Sequence, residues 1–241
     1  MSTGSTDGQR AAGPDGPAAA DVLRLRGVAK AFRGREVLAG CDADLVRGIT
    51  FLMGANGAGK TTLIRCVLGL LSYDGAVTWR GRPLRGRDLS AAAVVDDDPF
   101  YPNLTGRQNL AVLAPESLHI EPYVDPARLG RRVSTYSIGE RRRLSLTAAL
   151  GAGADVVVLD EPTIGLDREA LGRLRTDLMA LRTRAVVLVT GHHLEFWDGL
   201  VDQLLLLHSG RLRVHAPVPL PEQEGGWLGR IYDTAHAGLD R

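Results

Sequence analysis

The chain has 241 residues, 29 Lys and Arg against 28 Asp and Glu, a net charge of +1 and 44% hydrophobic content. That length accommodates one α/β domain with a sizeable core, or a core domain plus a small subdomain. The near-neutral balance argues against nucleic acid, an anionic membrane surface or a polyacidic partner.

Residues 1–20 are rich in Gly, Ala, Pro and Ser, hold no apolar run of the kind a signal peptide needs, and predict a disordered tail. From Val22 the pattern predicts strands: Leu23-Arg24-Leu25 alternates and Gly34-Arg35 marks a turn. Cys41 and Cys66 make no metal or redox spacing and read as small buried hydrophobes of a reducing compartment. Ile49–Met53 is a short apolar strand that runs into a glycine loop, and Thr61–Leu71 carries Leu63, Ile64, Val67, Leu68 and Leu71 at helical spacing. Strands follow at Gly75–Trp79 and Ala91–Val95. Residues 98–136, richer in Pro and polar groups, form an inserted subdomain.

Ser137–Leu150 then predicts a helix, Val156–Asp160 a buried strand, 168–183 an amphipathic helix, Ala185–Val189 a buried strand, and Gln203–Leu207 a last strand before a turn at Ser209-Gly210. Residues 216–241 yield no element and read as a C-terminal tail. Short all-apolar strands alternating with helices imply an α/β fold with a mainly parallel sheet covered on both faces. The longest apolar runs, such as Val156–Leu159 and Leu204–Leu207, fall far short of a membrane span, so the chain is expected to be soluble by itself.

Gly54-Ala-Asn-Gly-Ala-Gly-Lys60-Thr61 fits the phosphate-binding loop, with a predicted strand before it and a helix after it. Gly54, Asn56, Gly57 and Gly59 let successive backbone N–H groups point into one concavity, and the helix that begins there adds its partial positive charge. Lys60 is placed for the β- and γ-phosphates, with Thr61 on Mg²⁺ and Thr62 beside it. Val156-Val-Val-Leu-Asp160-Glu161 is a buried strand ending in two carboxylates, where doubly wound sheets hold ligands. Asp160 would hold Mg²⁺ through water and Glu161 would polarise the attacking water as general base. An acidic pair after a strand is also a common helix cap; the phosphate loop is what favours the catalytic role.

With these pieces in place the chain resembles an ATP-binding-cassette ATPase along nearly all of 22–214. Tyr136-Ser137-Ile138-Gly139-Glu140-Arg141 resembles the signature that, in the family, binds the γ-phosphate of ATP held by the opposite subunit; Ser137 reads equally as a helix N-cap. Pro162-Thr163-Ile164-Gly165-Leu166-Asp167 resembles the loop that crosses the dimer interface, and His192 matches the switch histidine, favoured over His193 by its register to Asp202. Phe32 matches the aromatic that stacks on adenine, with core packing as the alternative.

Asp96, in Val94-Val-Asp96-Asp-Asp-Pro-Phe-Tyr-Pro102, aligns with the family glutamine and is an expected metal contact. Its Phe-Tyr-Pro-Asn-Leu-Thr run resembles bacterial drug- and bacteriocin-export relatives. The stretch from Asn109 to Ser137 is shorter than the usual helical subdomain and is interrupted by Pro115, Pro122 and Pro126.

The resemblance implies an ATP-binding domain over 21–215, comprising a phosphate-loop core, an antiparallel β subdomain and a shortened helical subdomain at 98–136. It also implies ATP and Mg²⁺ as cofactors, a homo- or heterodimer, and a cytoplasmic chain held on the inner face of the membrane by a separate permease. Catalysis is then expected from Lys60, Glu161 and His192. Alternatives are a cassette protein acting on a soluble client, or a catalytically weak member of a heterodimeric pair.

Overall fold

A computed structural model describes residues 21–84, 91–95, 99–116, 120–215 and 226–237. The expected tail at 1–20 lies outside these residues, as does Asp96. Strands β1 (Val22–Phe32) and β2 (Arg35–Val46) form a long antiparallel hairpin turning at Arg33-Gly34, both at positive φ. β4 (Asp74–Trp79) and the two-residue β5 (Arg82–Pro83) complete an antiparallel sheet in the order β2-β1-β4-β5.

The second sheet has six strands in the order β10-β9-β3-β8-β7-β6. These are β3 (Gly48–Met53), β6 (Ala91–Val94), β7 (Val156–Leu159), β8 (Val186–Val189), β9 (Gln203–His208) and β10 (Arg211–His215). All pairings are parallel except that of β10 with β9.

The run of apolar residues in β3, β7, β8 and β9 follows from burial on both faces. Ile49, Phe51, Val157, Leu159, Val187, Val189, Leu204 and Leu206 point to one side, where they meet α3 (Ile138–Gly151), α4 (Arg168–Arg182), α5 (Leu194–Trp197) and α6 (Trp227–Ala237). Leu52, Val156, Val158, Val186, Leu188, Leu205 and Leu207 point to the other, against α1 (Lys60–Val67) and the antiparallel sheet. Cys41 and Cys66 are free and buried in that second layer.

Four features depart from the sequence expectation. The helix expected to reach Leu71 ends at Val67, because Gly69 takes a left-handed conformation (φ 68°) and its N–H closes onto the Cys66 carbonyl. β10, which pairs with the expected last strand β9 beyond the Ser209-Gly210 turn, and the short α5 carried no periodic signal. The segment read only as a tail contains α6, whose Trp227 and Leu228 are buried in the main core. No described helix is long and apolar enough to cross a membrane.

The inserted subdomain holds α2 (Gly106–Leu113) and a 3-10 turn at Val133–Thr135. Thr105 and Gln108 close a capping box at the start of α2. A small separate core of Phe100, Leu110, Val124, Leu129, Val133, Tyr136 and Leu144 ties the segment to α3. The Tyr136 hydroxyl passes so close to Gly106 that a Cβ there would lie 2.3 Å from it, which leaves room for glycine alone. Buried Asn109 organises the preceding loop: its Oδ1 accepts from Tyr101 N–H, and its Nδ2 donates to the Tyr101 and Thr105 carbonyls.

Candidate nucleotide site and its outlying signature

The phosphate loop leaves β3 at the carboxyl edge of the parallel sheet and enters α1 directly. Its residues Asn56, Gly57, Gly59, Lys60, Thr61 and Thr62 line a cavity of about 640 Å³. Phe32 forms part of the opposite wall and is 44% exposed, so it stands at the cavity rim rather than in the core. Glu161 reaches the same cavity, and the β9–β10 turn contributes Ser209 and Gly210.

Lys60 donates from Nζ to the carbonyls of Gly54 (2.7 Å) and Ala55 (3.1 Å), folding over its own loop. Burial lowers its pKa, while the negative charges of Glu161 and Asp160 oppose that shift. Lysine is the fitting cation here because its compact ammonium can turn from loop carbonyls to a phosphate without the planar demands of a guanidinium.

The two carboxylates that end β7 have separate environments. Asp160 is 5% exposed, accepting from Thr61 Oγ1 at 3.1 Å and from the Thr190 hydroxyl on its other oxygen. Glu161 sits in the left-handed region (φ 52°), its N–H donating to Thr190 Oγ1 at 3.0 Å and its carbonyl accepting from Arg142 at 3.1 Å. Arg142 also donates to the Asp160 carbonyl. A non-glycine residue adopts that backbone only where its surroundings hold it. The held conformation aims the Glu161 side chain at His192, whose Nε2 lies 2.8 Å from Oε1.

His192 also lines a smaller cavity of about 280 Å³, with Gly54, Asn56, Lys60, Gly191 and Tyr232. Trp197 packs so tightly on Gly191 that a Cβ there would meet the indole Nε1 at 2.4 Å.

Ser137, Gly139, Glu140 and Asp167 line neither cavity. Ser137 caps α3: its Oγ accepts from Glu140 N–H, and the Glu140 carboxylate accepts from Ser137 N–H at 2.7 Å. Arg128 holds both Glu140 oxygens, at 2.6 and 2.8 Å, and with that cap keeps the carboxyl down at about 2. Asp167 caps α4 by accepting from Ala170 N–H at 2.9 Å, and Arg143 of α3 donates to Asp167 and to the Gly165 carbonyl. Arg143 thus joins α3 to the loop at 162–167, and the residues named from both lie away from the cavity that holds the phosphate loop.

Sequence reasoning missed Thr190, Arg142, Arg128 and Tyr232. Thr190 carried a usable signal, being the one polar residue that ends the apolar Ala185–Val189 run just before Gly191-His192. The arginines gave none, since each acts across a turn of chain on backbone or cap groups that periodicity does not encode.

The ABC transporter family profile matches residues 42–164. A Nod factor export ATP-binding protein I from Burkholderia lata is 35% identical over 224 residues, covering 85% of this chain and 74% of that protein. A lantibiotic transport ATP-binding protein from Streptococcus pyogenes is 27% identical over 203 residues, covering 79% and 89% respectively. Among solved structures, an ATP-binding subunit of an ABC transporter aligns over 91% of this chain and all of that chain, with a TM-score of 0.75 at 21% identity. A dimeric ATP-binding cassette in a post-hydrolysis state with ADP and Pi aligns over 82% of this chain and 99% of that one, with a TM-score of 0.69 at 16% identity. This chain belongs to the ABC transporter family, as one of its ATP-binding ATPase subunits.

Proposed function

We propose that the chain powers export through a separate membrane permease, as a dimer in which each nucleotide is closed between one subunit's phosphate loop and the other's signature. The observation that carries this reading is the separation just described. One cavity gathers Phe32, the phosphate loop and Glu161, while the capped start of α3 and the loop at Asp167 stand apart from it. Two copies placed head to tail supply to each other what each lacks. The preference for export follows the printed functions of the Nod factor and lantibiotic relatives. On this reading the chain works in the cytoplasm, against the inner face of the membrane.

The chemistry assigned to the residues rests on their placement. Phe32 offers a stacking face for the base, and the amides of Gly57 and Gly59 with Lys60 receive the phosphates. Lys60 then exchanges its loop carbonyls for phosphate oxygens. Glu161 takes a proton from the attacking water as the new P–O bond forms and the bond to ADP breaks, while His192 holds the carboxylate in line. Thr61 Oγ1 and Asp160 Oδ2, 3.1 Å apart, form a hard oxygen pair of the kind Mg²⁺ takes. Mg²⁺ there would neutralise charge on the β- and γ-phosphates.

The test is purification of the tagged chain from gently solubilised membranes of its native host, with mass spectrometry of what remains bound. A polytopic membrane protein retained in stoichiometric amount is the expected result. Recovery of ribosomal or other soluble proteins alone overturns the transport reading.

A further inference from the structure

Glu140 creates an electrostatic problem that the fold has to answer. It occupies the third position of α3, one turn from the amides of Ile138 and Gly139, which no helix can satisfy internally at its start. The head-to-tail reading sets this start of α3 against a partner's γ-phosphate, so a carboxylate beside its free amides opposes the incoming anion.

Arg128 stands against that carboxylate in a built position. Asp125 opens its turn by accepting from Ala127 N–H (2.8 Å) through the side chain and from Arg128 N–H (2.8 Å) through the carbonyl. The Tyr136 hydroxyl donates to the Arg128 carbonyl at 2.7 Å, and the guanidinium lies 5.6 Å from the Tyr136 ring centroid. The side chain then forks onto both oxygens of Glu140, with a further donation to the Thr135 carbonyl at 3.4 Å. Arg128 and Glu140 are each about one-quarter exposed, so the pair is partly shielded from water.

We infer that Arg128 is a positioning residue for the in-trans nucleotide: it cancels the Glu140 charge and locks the capping box, so that the start of α3 presents donors alone to the partner's phosphate. The inference rests on the head-to-tail reading above. A capping box needs no arginine, since the reciprocal hydrogen bonds of Ser137 and Glu140 complete it. The guanidinium adds the neutralisation and a planar, bidentate hold on the carboxylate.

The test compares ATP-dependent self-association of the full chain for wild type, Arg128→Ala, Glu140→Gln and the double variant, with ADP affinity measured in parallel. ADP reports the phosphate-loop half alone. Arg128→Ala is expected to raise the ATP concentration for half-maximal association about tenfold, the size of one lost charge-assisted contact, and to leave ADP affinity within about twofold. The double variant is expected to return to the level of Glu140→Gln, because a neutral glutamine keeps the cap and needs no counter-charge.

Wild type that stays monomeric at saturating ATP sinks the head-to-tail reading and this inference with it. Wild type that associates, alongside an Arg128→Ala that matches it, overturns this inference only. A double variant as weak as Arg128→Ala, with ADP binding intact, overturns the charge-cancelling role as well.

Discussion

The strand-end centre at Asp160 and the helix start at Ser137, both assigned to phosphate in the proposed function, are held in opposite ways. The strand ends of β3, β7 and β8 are clamped between two apolar layers, and the polar groups there answer one another: Thr61 and Thr190 to Asp160, and Thr190 and Arg142 to the backbone of Glu161. The signature rests on a small core and on partly exposed caps and ion pairs, Arg128 with Glu140 and Arg143 with Asp167. A site inside a sheet can hold a strained backbone, because its neighbours leave it nowhere else to go. A capped helix start relies on local bonds, which open at lower free energy than the core. On the proposed function, the centre assigned to chemistry is thus the rigid one, and the surface assigned to a partner is the adjustable one.

The largest effect falls on the rigid centre. Glu161→Gln removes the proton acceptor while keeping the shape of the side chain, so steady-state phosphate release should fall about 10²–10⁴-fold with ATP binding retained. Unchanged turnover would remove Glu161 from the role of base and, with it, the functional sense of its left-handed backbone.

Thr190→Val probes the support behind that residue. It leaves the Glu161 N–H and one Asp160 oxygen without their partner in a buried place, which should cost about 1–3 kcal/mol in urea unfolding. Turnover is expected to drop with it, more in kcat than in KM, since the phosphate loop is untouched. Stability lost without any fall in kcat would mean that Glu161 keeps its aim by other means.

The same contrast governs what the sequence made legible. The phosphate loop and the acidic strand end were readable because each is a contiguous run whose spacing is dictated by the chemistry, and the two-faced burial of β3, β7, β8 and β9 was readable from short runs that are apolar or nearly so. The place of Phe32 at the cavity rim required the folded hairpin. So did the division of labour between Asp160 and Glu161, adjacent in sequence and separated by hydroxyls that come from α1 and from the end of β8. α6 stayed hidden because Pro and Gly around 216–229 interrupt its pattern, and its burial depends on Trp227 and Leu228 meeting helices far upstream. Arg128 was equally silent, twelve residues from the carboxylate it neutralises.

The smallest effect concerns acid, and it sharpens the comparison from the signature side. Glu140 is held at about 2 against an ordinary 4.5, first by the Arg128 hydrogen bonds and then by Ser137 N–H. A carboxyl depressed in the folded state stabilises above its unfolded pKa, and that contribution is lost as pH falls from about 4.5 towards about 2. Arg128 and Tyr136 face Glu140; Asp167, also lowered and beside Arg143, caps the neighbouring helix and titrates in the same direction. Amide NMR signals of Ile138–Arg141 should therefore shift as pH approaches about 2, where the folded-state carboxyl takes up its proton. Glu140→Gln should flatten the shift, because glutamine caps without titrating. A Glu140→Gln profile identical to wild type would assign the acid response to Asp167 and the α4 cap, making the crossing loop the softer of the two partner-facing segments.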